Sequence, residues 1–410
     1  MIKRIRRDQL KPGMYIHDLN CSWVDHPFLL NTLKVEDEKT IAKIAEIGVK
    51  ELFIDTDKGL DISDDNAQPA EEHEVEVHRE FQEKTAETQR RGTSPPPAVP
   101  LKEEISNARV VHEDAHHIVH KVLSDVRLGK QVEVEKIDPV VERITDSVFR
   151  NRDALISLSR LKNKDDYTFQ HSVSVCVLLI SFCQAMGYER SIMREVGIGG
   201  LLHDVGKMMV PDHILNKPVE LTAPEFTMMQ SHAALGREIL KQTKGVPETA
   251  IIITAQHHER NDGTGYPDRL KGSQISVFGQ MASIVDVYDA LTSNRVYHSG
   301  MDPVAALKKL FEWSKSHFSE ELVHHFIRTI GIFPVGSLVS LKSGRIGVVV
   351  DPDNKDLLHP TVRVIFDINS GRHVAPQDID FSQTGTGKAA DQIVGHESPQ
   401  RWGIDPYAYL

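Results

Sequence analysis

Cysteine, long apolar runs and positive charge are what this 410-residue sequence is short of. Its three cysteines, Cys21, Cys176 and Cys183, form neither a CxxC pair nor a disulfide framework. Cys176 and Cys183 stand in an apolar segment, where a thiol behaves as a small buried hydrophobe. No stretch of about 18 consecutive apolar residues is present, so no membrane span is evident. The amino-terminal stretch MIKRIRRDQLKPG lacks the apolar core of a secretory signal. These absences predict a soluble, cytoplasmic protein with no membrane partner. Lysine and arginine number 48 against 59 aspartates and glutamates, a formal net charge of −11. Phosphate-backbone recognition needs a basic surface, so a general nucleic-acid binder is excluded. A small anionic substrate stays compatible where positive charge is concentrated locally, for instance by metal ions.

What is present is a chain able to fold. Hydrophobic residues make up 40% of it, and its length predicts about two or three domains. Residues 1–60 read as a small α/β accessory domain. KPGMYIHDL is a strand after a Pro-Gly turn, VEDEKTIAKIAEIG an amphipathic helix ending in glycine, and ELFIDT another strand. Residues 61–104 shift to Glu, Gln, Thr and Pro, which predicts a flexible linker with a transient helix between Glu71 and Glu87. Ile105, Ala108, His112, Ala115, Val119, Val122 and Val126 then recur at helical spacing. They open a mainly α region, an all-helical bundle over 105–330 with leading helices over 105–150. Asp165 is placed to cap a central helix, apolar nearly all round, that runs to Gly187. Thr222 and Glu225 form a capping box for the helix expected to carry His232. Residues 331–382 read as a small β appendage (GSLVSL, RIGVVV, VRVIFD), and 383–410 as a loose tail. No internal repeat is found.

The 21 histidines carry the chemistry. His112, His116, His117 and His120 in HEDAHHIVH lie on a polar-faced helix with no organising carboxylate, and read as a solvated or interface face. His324 and His325 also lack companions. A second set sits in apolar helices: His171, the pair His203–Asp204, His232, the pair His257–His258, and Asp286. A buried histidine or carboxylate is costly unless paired, and metal coordination is a common solution. Separate apolar helices each delivering one such group point to a shared ion. Imidazole with carboxylate suits iron, manganese, nickel or zinc. These seven residues exceed what one tetrahedral ion takes, so two ions bridged by a carboxylate are the economical reading. Within HHERNDGTGYP (257–267), adjacent histidines on a regular helix diverge by about 100°. A helix ending there lets both rings reach one ion, and the glycines then turn the chain away.

The series YTFQHS (167–172), HDVGK (203–207), NKPVELTAPEF (216–226), HAALG (232–236), HHERNDGTGYP (257–267) and DVYDALTSNRVY (286–297) resembles the HD-GYP domain, a branch of the HD phosphohydrolase superfamily. The likeness covers about 150–320, and residues 1–60 resemble a small domain of unknown function often found ahead of HD-GYP domains in bacteria. The resemblance implies an HD-superfamily helical bundle that hydrolyses the bacterial second messenger cyclic di-GMP to pGpG, and on to GMP. By resemblance, Asp204 bridges two ions. His203, Asp286 and His171 serve one of them, and His232, His257 and His258 the other. Lys207 would touch the reacting phosphate, Lys217 and Arg295 the second phosphate, and Tyr266 would line the pocket. Asp262 and Asp289 are expected to orient ligand imidazoles. Protein partners at the Gly-Tyr-Pro loop and a homodimer fit the same resemblance. Some family members carry a glutamate four residues before the histidine corresponding to His171 and hold a third metal with it. This chain has Tyr167 there, so two metals are expected. The alternatives are a non-catalytic adaptor responsive to cyclic di-GMP, or a hydrolase of another nucleotide such as cyclic GMP-AMP.

Overall fold

The computed structural model describes residues 1–21, 32–46, 48–62, 68, 69, 76, 77, 79–81, 97–160, 167–217, 219, 221–293, 300–352, 359–383 and 391–410. The amino-terminal unit contains β1 (Ile2–Arg6), β2 (Tyr15–Asp18), β3 (Leu33–Lys34), α1 (Glu38–Glu46), β4 (Glu51–Asp55) and β5 (Gln68–Pro69). Its sheet runs β3-β2-β4-β1-β5, and every pairing is antiparallel. Alternation along the strands turns Ile5, Ile16, Leu52 and Ile54 to one face, where Ile44 of α1 closes the core.

The helical body follows as α2 (Leu101–Arg127), α3 (Val134–Ser159), α4 (Tyr167–Ala185), α5 (Arg190–Leu202), α6 (Asp212–Leu215), α7 (Ala223–Gln230), α8 (His232–Lys241), α9 (Glu248–Gln256), α10 (Val277–Thr292), α11 (Pro303–Trp313) and α12 (Glu320–Ile330). In α2 the apolar stripe is Ala108, Val111, Ala115, Val119, Val122 and Val126, with Val111 rather than His112 turned inward. α4 is buried from Gln170 to Cys183 and forms the centre of the bundle. Among the described residues it is the one helix long and apolar enough to cross a membrane, and 83% of that window is buried by the other helices. Cys176 and Cys183 are free and buried in it, and burial raises both thiols, Cys183 to about 12. Asp165, the expected cap of α4, lies outside the described residues.

Two regions are better packed than their composition predicts. In the expected linker, β5 pairs with β1, while Val77 and Phe81 are buried in the helical core, Phe81 edge-on to Phe311 at 5.7 Å. In the expected loose tail, residues 391–410 carry β10 (Ile393–His396) and α13 (Pro399–Trp402). With β6 (Leu338–Leu341), β7 (Arg345–Asp351), β8 (Thr361–Asp367) and β9 (Arg372–Asp380), β10 completes a five-stranded antiparallel sheet, order β10-β6-β7-β8-β9. Ile404 is buried and Trp402 tilts onto Phe366. A few apolar residues decide both outcomes, and an average over Gly, Thr, Gln and Glu hides them.

Candidate metal centre and active site

Helix ends build this site. The last carbonyls of a helix have no intrahelical donor, so a side chain that follows can take one. His203 caps α5 and its Nδ1 lies 2.9 Å from the Gly200 carbonyl. His257 caps α9, with Nδ1 2.9 Å from the Thr254 carbonyl. His232 follows the cap of α7, with Nδ1 2.7 Å from the Met229 carbonyl. The spacing is the same each time, three residues back. At His232 this bond also corrects an expectation. The Thr222–Glu225 capping box is present, but it starts α7, and His232 begins the next helix. The Met229 carbonyl bonds the imidazole at this junction, with Ser231 standing between the two helices.

A carbonyl only accepts, so each of these Nδ1 atoms carries the proton and each Nε2 presents a lone pair. On α4, His171 Nδ1 is held by Asp289 Oδ2 of α10 at 2.6 Å, and its Nε2 is likewise directed inward. The Nε2 atoms of His203 and His171 stand 3.2 Å apart, and those of His232 and His257 3.3 Å apart. Lone pairs facing at that distance repel unless a cation is shared between them.

Asp204 separates these pairs of rings. Its Oδ2 lies 3.4 Å from His203 Nε2 and 3.7 Å from His171 Nε2. Its Oδ1 lies 3.4 Å from His232 Nε2 and 3.8 Å from His257 Nε2. Asp286 on α10 reaches His171 Nε2 at 3.0 Å with Oδ1 and faces His258 Nδ1 at 3.7 Å with Oδ2. Two groups of potential ligand atoms result, His171–His203–Asp204 and Asp204–His232–His257–His258, each within 4.8 Å. All seven residues are at most 4% exposed. Asp204 Oδ1, Asp286 Oδ2 and His258 Nδ1 are buried with no hydrogen-bond partner. Buried polar atoms are seldom left so, and the donor set fits divalent ions.

The electrostatics agree for most of the set. At His203 burial lowers the imidazole, but the Asp204 and Asp286 carboxylates outweigh it and raise the group above its ordinary value, as they would favour any cation placed there. Burial disfavours the Asp204 carboxylate, but Lys207 and the His203 imidazole outweigh it and hold the group well below the usual range. Asp286 is held low in the same way, burial being opposed by His171 and His258. Burial keeps His257 and His258 well below the ordinary imidazole value and brings His232 to about 4. At neutral pH these three imidazoles are neutral and both carboxylates charged, the protonation state that binds a cation.

The remaining expected residues divide. Lys207 Nζ donates to Asp204 Oδ2 at 2.6 Å, and its side chain is 23% exposed at the border of the cluster. Tyr266 stacks on His258, ring centroids 4.6 Å apart. Lys217 instead pairs with Glu225 Oε2 at 2.5 Å, the carboxylate of the capping box. Arg295 lies outside the described residues. Asp262 does not touch a ligand imidazole: its Oδ1 accepts from Thr264 N and Oγ1, so the turn closes on itself. Of the other histidines, His116 and His120 pack against Phe169, and His324 stacks on Phe311.

Two residues that sequence reasoning passed over hold the Gly-Tyr-Pro turn in place. Glu259 is 1% exposed, and its carboxylate accepts Asp268 N at 2.8 Å and Leu270 N at 2.9 Å. Arg260 donates to Ser283 Oγ on α10 at 2.5 Å and lies over the Phe318 ring. A charged pair directly after HH was the available signal, but its partners lie elsewhere in the chain. The glycines allow close approach. A Cβ on Gly265 would stand 2.5 Å from the His258 carbonyl oxygen, and one on Gly206 only 1.9 Å from the His232 carbonyl oxygen. Gly206→Ala is therefore expected to push the 3-10 turn Val205–Met209 off α8, costing about 2–3 kcal/mol as overpacking does. Thermal unfolding with metal analysis checks it: both Tm and metal content should fall.

Known proteins resemble this chain along most of its length. Residues 155–322 match the family model described as an HD domain, and residues 2–137 match a domain of unknown function (DUF3391). The chain is 38% identical over 405 residues to the cyclic di-GMP phosphodiesterase PA4108 of Pseudomonas aeruginosa, covering 98% of this chain and 94% of that protein. It is 27% identical over 234 residues to a cyclic di-GMP phosphodiesterase of Thermotoga maritima, 56% of this chain and 63% of that one. A 123-residue stretch, 30% of this chain, is 42% identical to the 3'3'-cGAMP-specific phosphodiesterase 2 of Vibrio cholerae, of which it covers 24%. The amino-terminal match runs well past residue 60 and takes in α2.

Proposed function

The chain belongs to the HD-GYP branch of the HD-domain phosphohydrolases, and on that premise we propose that it is a metal-dependent phosphodiesterase hydrolysing cyclic di-GMP. The observation that carries the mechanism is Asp204, one carboxylate with each oxygen turned to a different set of imidazoles. In this reading Asp204 would serve both of two divalent ions of the iron, manganese or nickel class. His171, His203 and Asp286 would hold one, and His232, His257 and His258 the other. Bound ions of this kind supply an activated water near neutral pH and positive charge against the phosphate oxygens. The chain's own groups do the rest. Asp289 and the Gly200, Met229 and Thr254 carbonyls fix the tautomers, so that Nε2 lone pairs face inward. Lys207 places an ammonium beside Asp204 at the edge of the buried cluster, where a phosphodiester oxygen would gather negative charge. Tyr266 shields His258 and offers a ring face to the substrate. Lys217 would reach a second phosphate only by leaving Glu225. The reading takes the cytoplasm as the site of action, a compartment in which the three thiols stay free.

Product chromatography tests the assignment. Cyclic di-GMP should give pGpG, and GMP on longer incubation. Cyclic GMP-AMP is the competitor to include, because of the 42% identical stretch shared with a phosphodiesterase of that specificity. Faster turnover of cyclic GMP-AMP would reassign the substrate, and no turnover of either would favour an adaptor.

The metal count can be tested separately. Tyr167 stacks on His171 with ring planes 11° apart, one helical turn before it. A neutral phenol with a reference pKa of about 10 is a poor bridge for a third cation. Wild-type protein is expected to hold no more than two ions per chain by metal analysis and anomalous diffraction. Tyr167→Glu should admit a third, since a carboxylate there shares a helical face with His171. Three well-occupied ions in the wild type would refute the argument.

A further inference from the structure

The amino-terminal sheet has a second face that its own core does not use. Leu52 and Ile54 of β4 point into that core, so Phe53 between them points to the opposite side. Phe53 is nonetheless only 7% exposed, because Lys309 of α11 lies over its ring, 5.6 Å from the centroid. The same Lys309 Nζ donates to Asp18 Oδ2 at 2.8 Å, and Trp313 Nε1, one turn on, donates to Asn20 Oδ1 at 3.2 Å. Burial disfavours both charges of the Lys309–Asp18 pair, yet each partner outweighs it for the other. Lysine is raised and aspartate lowered from their ordinary values.

A further contact lies beside the metal centre. Gly48, at φ +78°, packs so closely on Thr264 that a Cβ there would stand 2.6 Å from Thr264 Cγ2. Lys50 Nζ lies 3.4 Å from Asp262 Oδ2. Asp262 and Thr264 belong to the turn whose Tyr266 stacks on the His258 ring, and one residue, Gly265, separates Thr264 from Tyr266. The amino-terminal unit therefore touches the site through a very short stretch of chain.

We propose that the amino-terminal unit is an in-chain regulator: docked on α11 and on the 262–266 turn, it holds Tyr266 against His258 and keeps that side of the metal centre in working geometry. Release slackens the turn and lowers activity, so a signal received by the unit is read out at the centre. Docked and released states supply the two-state element that such coupling requires. The turnover readout rests on the phosphodiesterase reading, whereas the docking contact does not.

Asp18→Lys sets like charges against each other at the docking face. In the full chain, amide hydrogen exchange across Asn261–Tyr266 should then rise about tenfold. Turnover of cyclic di-GMP should fall roughly five- to tenfold with the fold intact. Combining Asp18→Lys with Lys309→Asp should restore both. Lys309→Glu, which reverses the same ion pair from the helical side, should raise exchange at the turn and lower turnover in the same way. The proposal is overturned if Asp18→Lys frees the unit, seen as faster exchange at Gly48–Lys50, while the turn and the rate stay at wild-type level. It is equally overturned if Lys309→Glu frees the unit and leaves the turn and the rate unchanged, a comparison that decides the matter should Asp18→Lys stay docked or fail to fold. A wild-type chain with no cyclic di-GMP turnover sinks the functional reading instead, and the exchange data then judge the regulator alone.

Discussion

Asp204→Ala is expected to release metal and to lower turnover by about 10³-fold or more, the scale of losing a charge-stabilising element in a dry site. Its two oxygens face the His171–His203 and the His232–His257 pairs, and among the described residues no other carboxylate contacts both pairs. Asp286 reaches His171 and His258 but not His232 or His257 among the described contacts. The helices should persist, because α4 and its neighbours are held by apolar packing that Asp204 does not join. Circular dichroism with metal analysis and a rate measurement checks this. Retention of both metal and rate would show that the site is elsewhere.

Lys207→Ala should behave differently. Its ammonium hydrogen-bonds Asp204, yet it is a fifth exposed and donates no ligand atom, since a lysine has only protons to offer. Metal content should therefore hold while kcat falls by about 10²–10³, the loss typical of removing one stabiliser of transition-state charge. A lysine acting only as a favourable charge in the last turn of a 3-10 segment would leave kcat nearly unchanged. Parallel metal analysis and kcat measurement separate these outcomes.

Local pattern carried much of this architecture. The α4 segment reads as a central helix because it is apolar on every side, and it is buried from Gln170 to Cys183. The strands of the carboxy-terminal unit read from their alternation and turns. The His/Asp set was legible because buried helices do not tolerate such residues without a shared purpose; the structure gathers six of them into two ligand groups and sets Asp286 against His171 and His258. What escaped depends on partners distant in sequence. Glu259 folds the Gly-Tyr-Pro turn back onto the HHER segment, whereas Asp289, expected to orient a ligand imidazole, meets His171 across 118 residues. Lys309 meets Asp18 across 291 positions, a contact that no local window contains. Asp262 was misjudged for the opposite reason. Its local turn chemistry with Thr264 outcompetes a longer reach to an imidazole.

The central claim is that the buried His/Asp cluster hydrolyses a cyclic dinucleotide through divalent ions that it holds itself. The direct measurement is cyclic di-GMP hydrolysis by purified full-length protein, followed through chelation and through reconstitution with Mn²⁺ or Fe²⁺ under reducing conditions. The expected result is conversion to pGpG that chelator abolishes and metal restores, in proportion to metal bound and up to two ions per chain. Hydrolysis that persists in metal-free protein, or fully loaded protein that leaves the substrate intact, would contradict it.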